Sequence, residues 1–255
     1  MPVRGRVGKA LRGSVTSYYG FREETGRPVN RLEGPGRYVV LIISFDEQWL
    51  IDGEKLCSFA GGLRDRQVAT RHEGRSFGIH VNLEPFAAHA LFGLPLDELA
   101  YRQVPLEDVL DEPDLAERLH DAETWDDRFR LLDHVLGRHL EDAEPPSPEI
   151  AWAWSRLAES DGDVRIGDLA GELGWSRKRI VARFREEIGL PPKRAARLLR
   201  FERARELADA TARPDWAWIA RETGYYDQSH LINDFRSVTG RTPETFFQDT
   251  DEAAA

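Results

Sequence analysis

The chain has 255 residues, 41% of them apolar and 31% charged, with a formal net charge of −10. That is enough for two ordinary domains with cores, and the balance excludes a disordered, collagenous or disulfide-stapled protein. Cys57 is the single cysteine, so neither an internal disulfide nor a cysteine-based zinc site can form. No apolar run approaches the roughly 20 residues a membrane-spanning helix needs, and the basic N-terminus "MPVRGRVGKALRGSV" has no apolar h-region. The expectation is a cytoplasmic protein with no membrane partner.

In chain order, "RYVVLIISF" (37–45) is a β-branched apolar run that predicts a strand. "QWLIDGEKLCSF" (48–59) places an Asp52-Gly53 turn between two strand-like halves, a hairpin signal. "RQVATRH" and "SFGIHVNL" form a second predicted pair around "EGR". His72 and His80 then lie on neighbouring predicted strands, but no H-x-H or matching Glu accompanies them, so no metal is expected. Cys57 on its predicted strand reads as a small buried hydrophobe. Trp49, Phe45, Phe77 and Trp125 are candidates to line a pocket or simply to fill a core. No nucleophile–base or metal constellation occurs in 1–140, so no catalytic residue and no cofactor is expected.

From Pro85 on the pattern turns helical. In "TWDDRFRLLDHVLGRHL" (124–140), Thr124 can cap, Asp127 stands at the capping-box position, and Trp125, Phe129, Leu132, Leu136 and Leu140 form one stripe. The stripe is wide for a covering helix, so part of it is expected to pack against a second copy in a homodimer through 112–140; the alternative is that it only covers the β-sheet. "EDAEPPSPE" (141–149), with three prolines and four acids, predicts an extended linker. Domain 1–140 is then α+β and 150–247 all-α, with a disordered tail at 248–255.

Charge is uneven. Residues 1–149 hold 18 Lys and Arg against 27 acids, whereas 177–205 hold 11 against 3. An internal repeat explains the second half: "IGDLAGELGWSRKRIVARFREEIG" (166–189) aligns with "WAWIARETGYYDQSHLINDFRSVTG" (216–240), with one residue inserted in the second turn. Ala170 matches Ala220 and Gly174 matches Gly224; Ile180 matches Leu231 and Phe184 matches Phe235. Each copy reads as a helix-turn-helix: a small Ala for close crossing, a Gly for positive φ after a helix end, an N-cap (Ser176, Asp227), then inward anchors at i, i+4. The outer faces of the second helices remain free, with Ser229, His230 and Asn233 on one of them.

These residues resemble the DNA-binding domain of the AraC/XylS family of transcription regulators. The resemblance is carried by "LAGELGWSRKRIVARFREEIGLPP", "RARELADA" and "IARETGYYDQSHLINDFRSVTGRTPETFF", and covers 150–247. It implies seven helices, two helix-turn-helix units held apart by a long helix near 192–209, and recognition helices entering successive major grooves about 34 Å apart. Carried over residue by residue, the base contacts fall on Lys178, Val181 and Ala182, then on Ser229, His230 and Asn233. Phosphate contacts fall on Arg177, Arg179, Arg183 and Gln228. Asn233 suits adenine and Lys178 suits guanine; Val181 and Ala182 depart from the longer polar side chains often found there and suit thymine methyls. A capping or packing role near the helix start is the alternative for His230, as phosphate anchoring without sequence information is for Lys178.

The segment "GLRDRQVATRHEGRSFGIHVNLEPFAAHALFGLPLDEL" is similar to the sensor segment of one branch of that family, with its P-x-x-x-x-x-L-F-G-x-P helix. The resemblance implies an N-terminal β-barrel or sheet followed by helices, which senses an unidentified small-molecule effector, dimerises, or both. The function expected is a sequence-specific regulator that binds double-stranded promoter or operator DNA under effector control. The alternative is a constitutive regulator whose N-terminal domain serves only dimerisation or protein contacts. RNA polymerase is a further partner the resemblance allows.

Overall fold

The computed structural model describes residues 2–45, 48–211 and 213–247. Its N-terminal half is a set of ten strands: β1 (Val3–Gly5), β2 (Val15–Glu24), β3 (Val29–Glu33), β4 (Val39–Ser44), β5 (Trp49–Ile51), β6 (Glu54–Leu56), β7 (Phe59–Gly61), β8 (Val68–His72), β9 (Arg75–Leu83) and, after the first helix, β10 (Gln103–Pro105). They form two antiparallel sheets, in the orders β1-β2-β9-β4-β7-β10 and β3-β8-β5-β6, rather than one closed barrel.

The Asp52-Gly53 hairpin forms as expected: both residues have positive φ (48° and 92°), the geometry a two-residue turn between twisted strands demands. The second predicted hairpin does not form. β8 pairs with β3 and β5, whereas β9 pairs with β2 and β4, so the chain changes sheet at Glu73-Gly74. Gly74 turns with φ 105° and its carbonyl accepts from Thr25 N–H, which ties the crossing to the β2–β3 connection. His72 and His80 therefore sit on different sheets. His72 is buried against Glu23 at 3.4 Å, and His80 shares a hydrogen bond with Asn82. Cys57 lies just past the end of β6 and is exposed, because that strand is only three residues long.

The larger sheet has two unlike faces, set by period-2 alternation. Tyr18, Val39, Leu41, Ile43, Ile79 and Val81 point to one side and are all fully buried. Against them pack α1 (Pro85–Phe92), α2 (Leu115–Asp121) and α3 (Trp125–Asp142). α3 starts with the full Thr124/Asp127 capping box. Phe129 stacks on Tyr18, with ring centroids 5.8 Å apart, and Trp125 seats over Gly20, where a Cβ would collide with its ring. Leu132 and Leu136 are fully buried in the same core. The middle of the stripe expected to form a dimer seam thus covers the sheet within the chain, while Trp125 and Leu140 at its two ends stay half-buried. Phe45, Phe77 and Trp125 surround the Arg128 guanidinium on this helix side. Trp49 instead faces the space between the sheets, where Ile51, Phe59 and Val68 form a small separate core.

The all-α half contains α4 (Pro148–Glu159), α5 (Ile166–Glu172), α6 (Arg177–Ile188), α7 (Pro192–Asp209), α8 (Trp216–Glu222) and α9 (Gln228–Thr239), followed by a helical turn at 243–247. The expected linker is shortened from both sides: α3 runs to Asp142, and Pro148 opens α4 at its first position, where a missing N–H costs nothing. The remaining connection is anchored, since Ser147 N–H donates to Glu187. The expected 248–255 tail lies outside the described residues.

The cores do not divide at this linker. One cluster runs from Leu11 through the helix side of the sheet and on into Trp154, Leu157, Ile180, Phe184 and Leu199. Trp154 is buried, and its indole N–H donates to Glu84 at 2.9 Å across the joint. A second cluster begins at Phe201 and holds Trp216, Ile219, Tyr225, Leu231, Phe235 and Val238. The break falls inside α7, between Leu199 and Phe201.

Candidate nucleic-acid interface

The two repeat copies fold alike. In each, the carbonyl of the small residue (Ala170, Ala220) accepts from the N–H of the residue after the glycine, at 2.8 and 2.9 Å. Gly174 and Gly224 take φ 64° and 71°, the left-handed conformation of a Schellman helix end. Ala170 and Ala220 are only 3% and 1% exposed, so a larger side chain at either would push the crossing helices apart. Ser176 then caps α6 through Arg179 N–H (3.2 Å) and Asp227 caps α9 through His230 N–H (2.7 Å). Four residues separate α5 from α6 and five separate α8 from α9.

That inserted residue has a consequence at the surface. Tyr225 is buried, while Tyr226 is 92% exposed in the turn. Trp218 on α8 is also exposed. Neither was singled out from sequence, although the doubled tyrosine beside an insertion is the available signal.

The apolar anchors Ile180, Phe184, Leu231 and Phe235 are all fully buried, which fixes the opposite face of α6 and α9 outward. Lys178, Val181 and Ala182 on α6, and Ser229, His230 and Asn233 on α9, are exposed, as are Arg177, Arg179 and Gln228. The two faces offer different chemistry: α6 an ammonium beside two small apolar side chains, α9 a hydroxyl, an imidazole and an amide. Arg179 is held with its guanidinium 4.2 Å above the Trp175 ring. The His230 ring is drawn back into its own turn, with its Nδ1 accepting from Tyr226 N–H at 3.4 Å and its edge against Tyr225.

The basic run divides. Arg177, Lys178 and Arg179 point outward, but Arg183 pairs with Glu186 (2.8 Å) and with buried Glu187 (2.6 Å). Burial pushes the Glu187 carboxyl up from its ordinary range, and the Arg183 charge opposes that push. On α7, Arg203 pairs with Asp161 and Glu206. Arg194 and Arg197 turn to the N-terminal half. Arg194 donates to the Tyr101 hydroxyl at 2.6 Å, which donates to Asp65 at 2.7 Å. Arg197 lies 3.9 Å from Asp65 and also pairs with Asp234 of α9, whose other oxygen accepts from buried Tyr225 at 2.9 Å. Gln67 N–H donates to the Val238 carbonyl near the end of α9. The second recognition helix is thereby held from behind by polar contacts from the N-terminal half.

A family model described as "Helix-turn-helix domain" matches residues 169–249, the span of both repeat copies. This segment is an AraC-type helix-turn-helix domain. An uncharacterized HTH-type transcriptional regulator, YbfI of Bacillus subtilis (strain 168), is 29% identical over 110 residues, covering 40% of this chain and 39% of its own length. The chain therefore matches about two fifths of that relative. An apo variant of ToxT from Vibrio cholerae strain SCE256 superposes with a TM-score of 0.50 over 91% of this chain and 97% of its own, at 14% identity. Wild-type ToxT of the same strain, with unsaturated fatty acid bound, gives 0.50 over 92% and 96%, at 11% identity. At such identities the likeness is one of fold: sheets, then helices, then the AraC-type domain. Among the described residues no helix is long and apolar enough to cross a membrane.

Proposed function

We propose that the chain is a sequence-specific regulator of transcription that binds double-stranded DNA through α6 and α9, acts in the cytoplasm, and is controlled by a small molecule held in its N-terminal half. One observation carries the DNA reading. Two helices built on the same turn bury their apolar faces completely and leave Lys178, Val181, Ala182, Ser229, His230 and Asn233 exposed. An exposed, polar, partly basic helix face has the composition that reads base edges in a major groove. The relatives support it, since YbfI is described as a transcriptional regulator. The effector reading is supported by the ToxT solved with a fatty acid, by the Gln67 hydrogen bond to the back of α9, and by Asp65, which reaches α9 through Arg197 of α7.

The test is selection of bound sequences from a random pool with the full chain, followed by affinity measurement on the selected site and on random DNA. Asn233→Ala should lose about 1–3 kcal/mol on the selected site and relax one base position. Arg179→Ala should weaken every sequence alike and flatten the salt dependence, because phosphate contacts carry no sequence information. Equal losses on both DNAs for Asn233→Ala would reduce that residue to scaffolding. A pool that yields no enriched sequence would refute the regulator reading.

A further inference from the structure

Between the two sheets lies a cavity of about 240 Å³. Its position follows from the alternation on β4. Val39, Leu41 and Ile43 point to the helices and are fully buried, whereas Val40 and Ile42, in the middle of the same strand, remain half-exposed. Valine and isoleucine at the centre of a covered sheet stay accessible only where the opposite sheet leaves space. Ile51, Val68 and Trp49 form the facing wall, and Phe59 and Phe21 complete it.

Into this apolar space comes Arg64. Register explains how: Gly61 of β7 stands between Val40 of β4 and Gln103 of β10. A Cβ on Gly61 would come within 2.9 Å of Arg64 Nη2, so the missing side chain is what lets the guanidinium cross the sheet there. With its amide oxygen turned to the guanidinium, Gln103 accepts from both terminal nitrogens, at 2.6 Å for Nη1. No carboxylate makes an ion pair with Arg64 among the described residues. Burial lowers its pKa; Asp52 and Glu33 act against this from a distance and Arg66 adds to it. The guanidinium nevertheless stays charged, because its starting value is so high. Glu33 stands exposed at the rim, with one oxygen accepting from Thr70 at 3.4 Å. His80, deeper in the cavity, is kept neutral by burial and is engaged by Asn82, so it supplies no second charge.

A half-buried cation satisfied by one neutral amide, at the edge of an apolar cavity, differs from Arg128, which is enclosed by three rings and donates to the His120 carbonyl. Arg197 and Arg183 each hold a carboxylate. We propose that the cavity binds a small monocarboxylate whose charged end pairs with Arg64 and whose apolar body lies against Ile42, Ile51, Val68 and Trp49. Planar bidentate pairing is what a guanidinium offers a carboxylate. Size limits the body: an apolar cavity of about 150 Å³ takes a benzene ring, so this one takes a ring or branched chain of roughly six to nine carbons. The role of this ligand as an effector rests on the regulator reading above; its binding does not.

The test is calorimetric titration of the full chain with phenylacetate and 4-methylpentanoate, then with phenylacetamide and 2-phenylethylamine, alongside DNA binding. A carboxylate should bind saturably with a Kd below about 1 mM, the amide about tenfold or more weaker, and the amine not at all. Arg64→Met should abolish carboxylate binding while the far-ultraviolet spectrum and melting temperature are kept. Should that variant misfold, Ile42→Trp fills the cavity from the larger sheet with Arg64 intact, and it should abolish binding too. The proposal is overturned if neither carboxylate saturates by about 10 mM, if the amide binds as well as the acid, or if a folded Arg64→Met or Ile42→Trp binds unchanged. Binding that follows the predicted order but leaves DNA affinity unaltered supports the site and removes the effector role alone.

Discussion

The two helix-turn-helix units share a turn, a capping scheme and a pair of inward anchors, yet they are attached to the rest of the molecule in opposite ways. The first unit is continuous with the N-terminal core: Trp154, Ile180 and Phe184 pack in the same cluster as Leu41 and Leu132. The second has its own cluster around Phe201, Trp216 and Phe235 and meets the N-terminal half through Asp65, Gln67 and two arginines. Apolar burial is non-directional and resists dissection; a set of hydrogen bonds and ion pairs can be exchanged for water at little net cost. The first unit is therefore fixed in place, and the second is the one a signal from the sheets could release.

The largest expected effect tests the fused side. Trp154→Ala should cost about 3–5 kcal/mol, by the cavity and transfer terms of a large aromatic, and it also leaves Glu84 without its indole partner. Because the core is shared, sheet and first unit should lose protection together in hydrogen exchange. Loss confined to 148–190 would show two separate cores. Phe235→Ala removes a ring packed on Phe201, Trp216 and Phe247. It should cost a similar amount locally, about 3–5 kcal/mol, but with exchange rising only beyond Phe201. Spread of that loss into β4 or β9 would erase the distinction.

A smaller effect sits at the seam itself. Glu202 of α7 accepts from Arg37 N–H at 3.0 Å, and burial pushes its carboxyl up to about 7. A carboxyl raised in the folded state binds its proton more tightly there than when unfolded. Its contribution is therefore fully present below the unfolded value of 4.5 and is lost as pH rises toward 7. The loss is at most about 3 kcal/mol, less the part screened by solvent at this half-buried site. Denaturant midpoints between pH 4.5 and 7 should fall for the wild type and stay flatter for Glu202→Gln. Equal slopes would mean the carboxyl is ionised throughout.

The smallest effect is the most informative about release. Asp65→Asn removes a charge 3.9 Å from Arg194 and Arg197 but leaves Arg197 on Asp234. Stability should change by less than about 1 kcal/mol, while hydrogen exchange at the back of α9 rises. Unchanged protection at α9 would mean that the polar contacts do not hold it.

How far the sequence reached follows the range of the interactions. Short-range chemistry was legible: the Asp52-Gly53 turn, the Thr124 capping box, and the paired glycines with Ser176 and Asp227 at fixed offsets. Where partners lie far apart in sequence, the reading failed. β8 and β9, separated by two residues, looked like a hairpin, yet their hydrogen bonds go to strands up to 68 residues away. β2, the longest strand, was missed because its glycine and charged end interrupt the apolar pattern. Arg183 is the reverse case: its Glu186 and Glu187 partners stand at i+3 and i+4, a pairing the sequence does display. Arg64 had no local mark at all, since its setting is made by Gly61, Gln103 and Val40 on three strands.

α7 belongs to both clusters, giving Leu198 and Leu199 to one and Phe201 and Ala204 to the other. An α-helix advances about 1.5 Å and turns about 100° per residue, so α7 works as a keyed shaft. Its length sets not only how far apart the recognition helices stand but also which way the second one faces. Inserting a single alanine after Leu199 would swing α9 about a quarter-turn around the shaft. The two helices could then no longer meet one face of the duplex at the original half-site spacing.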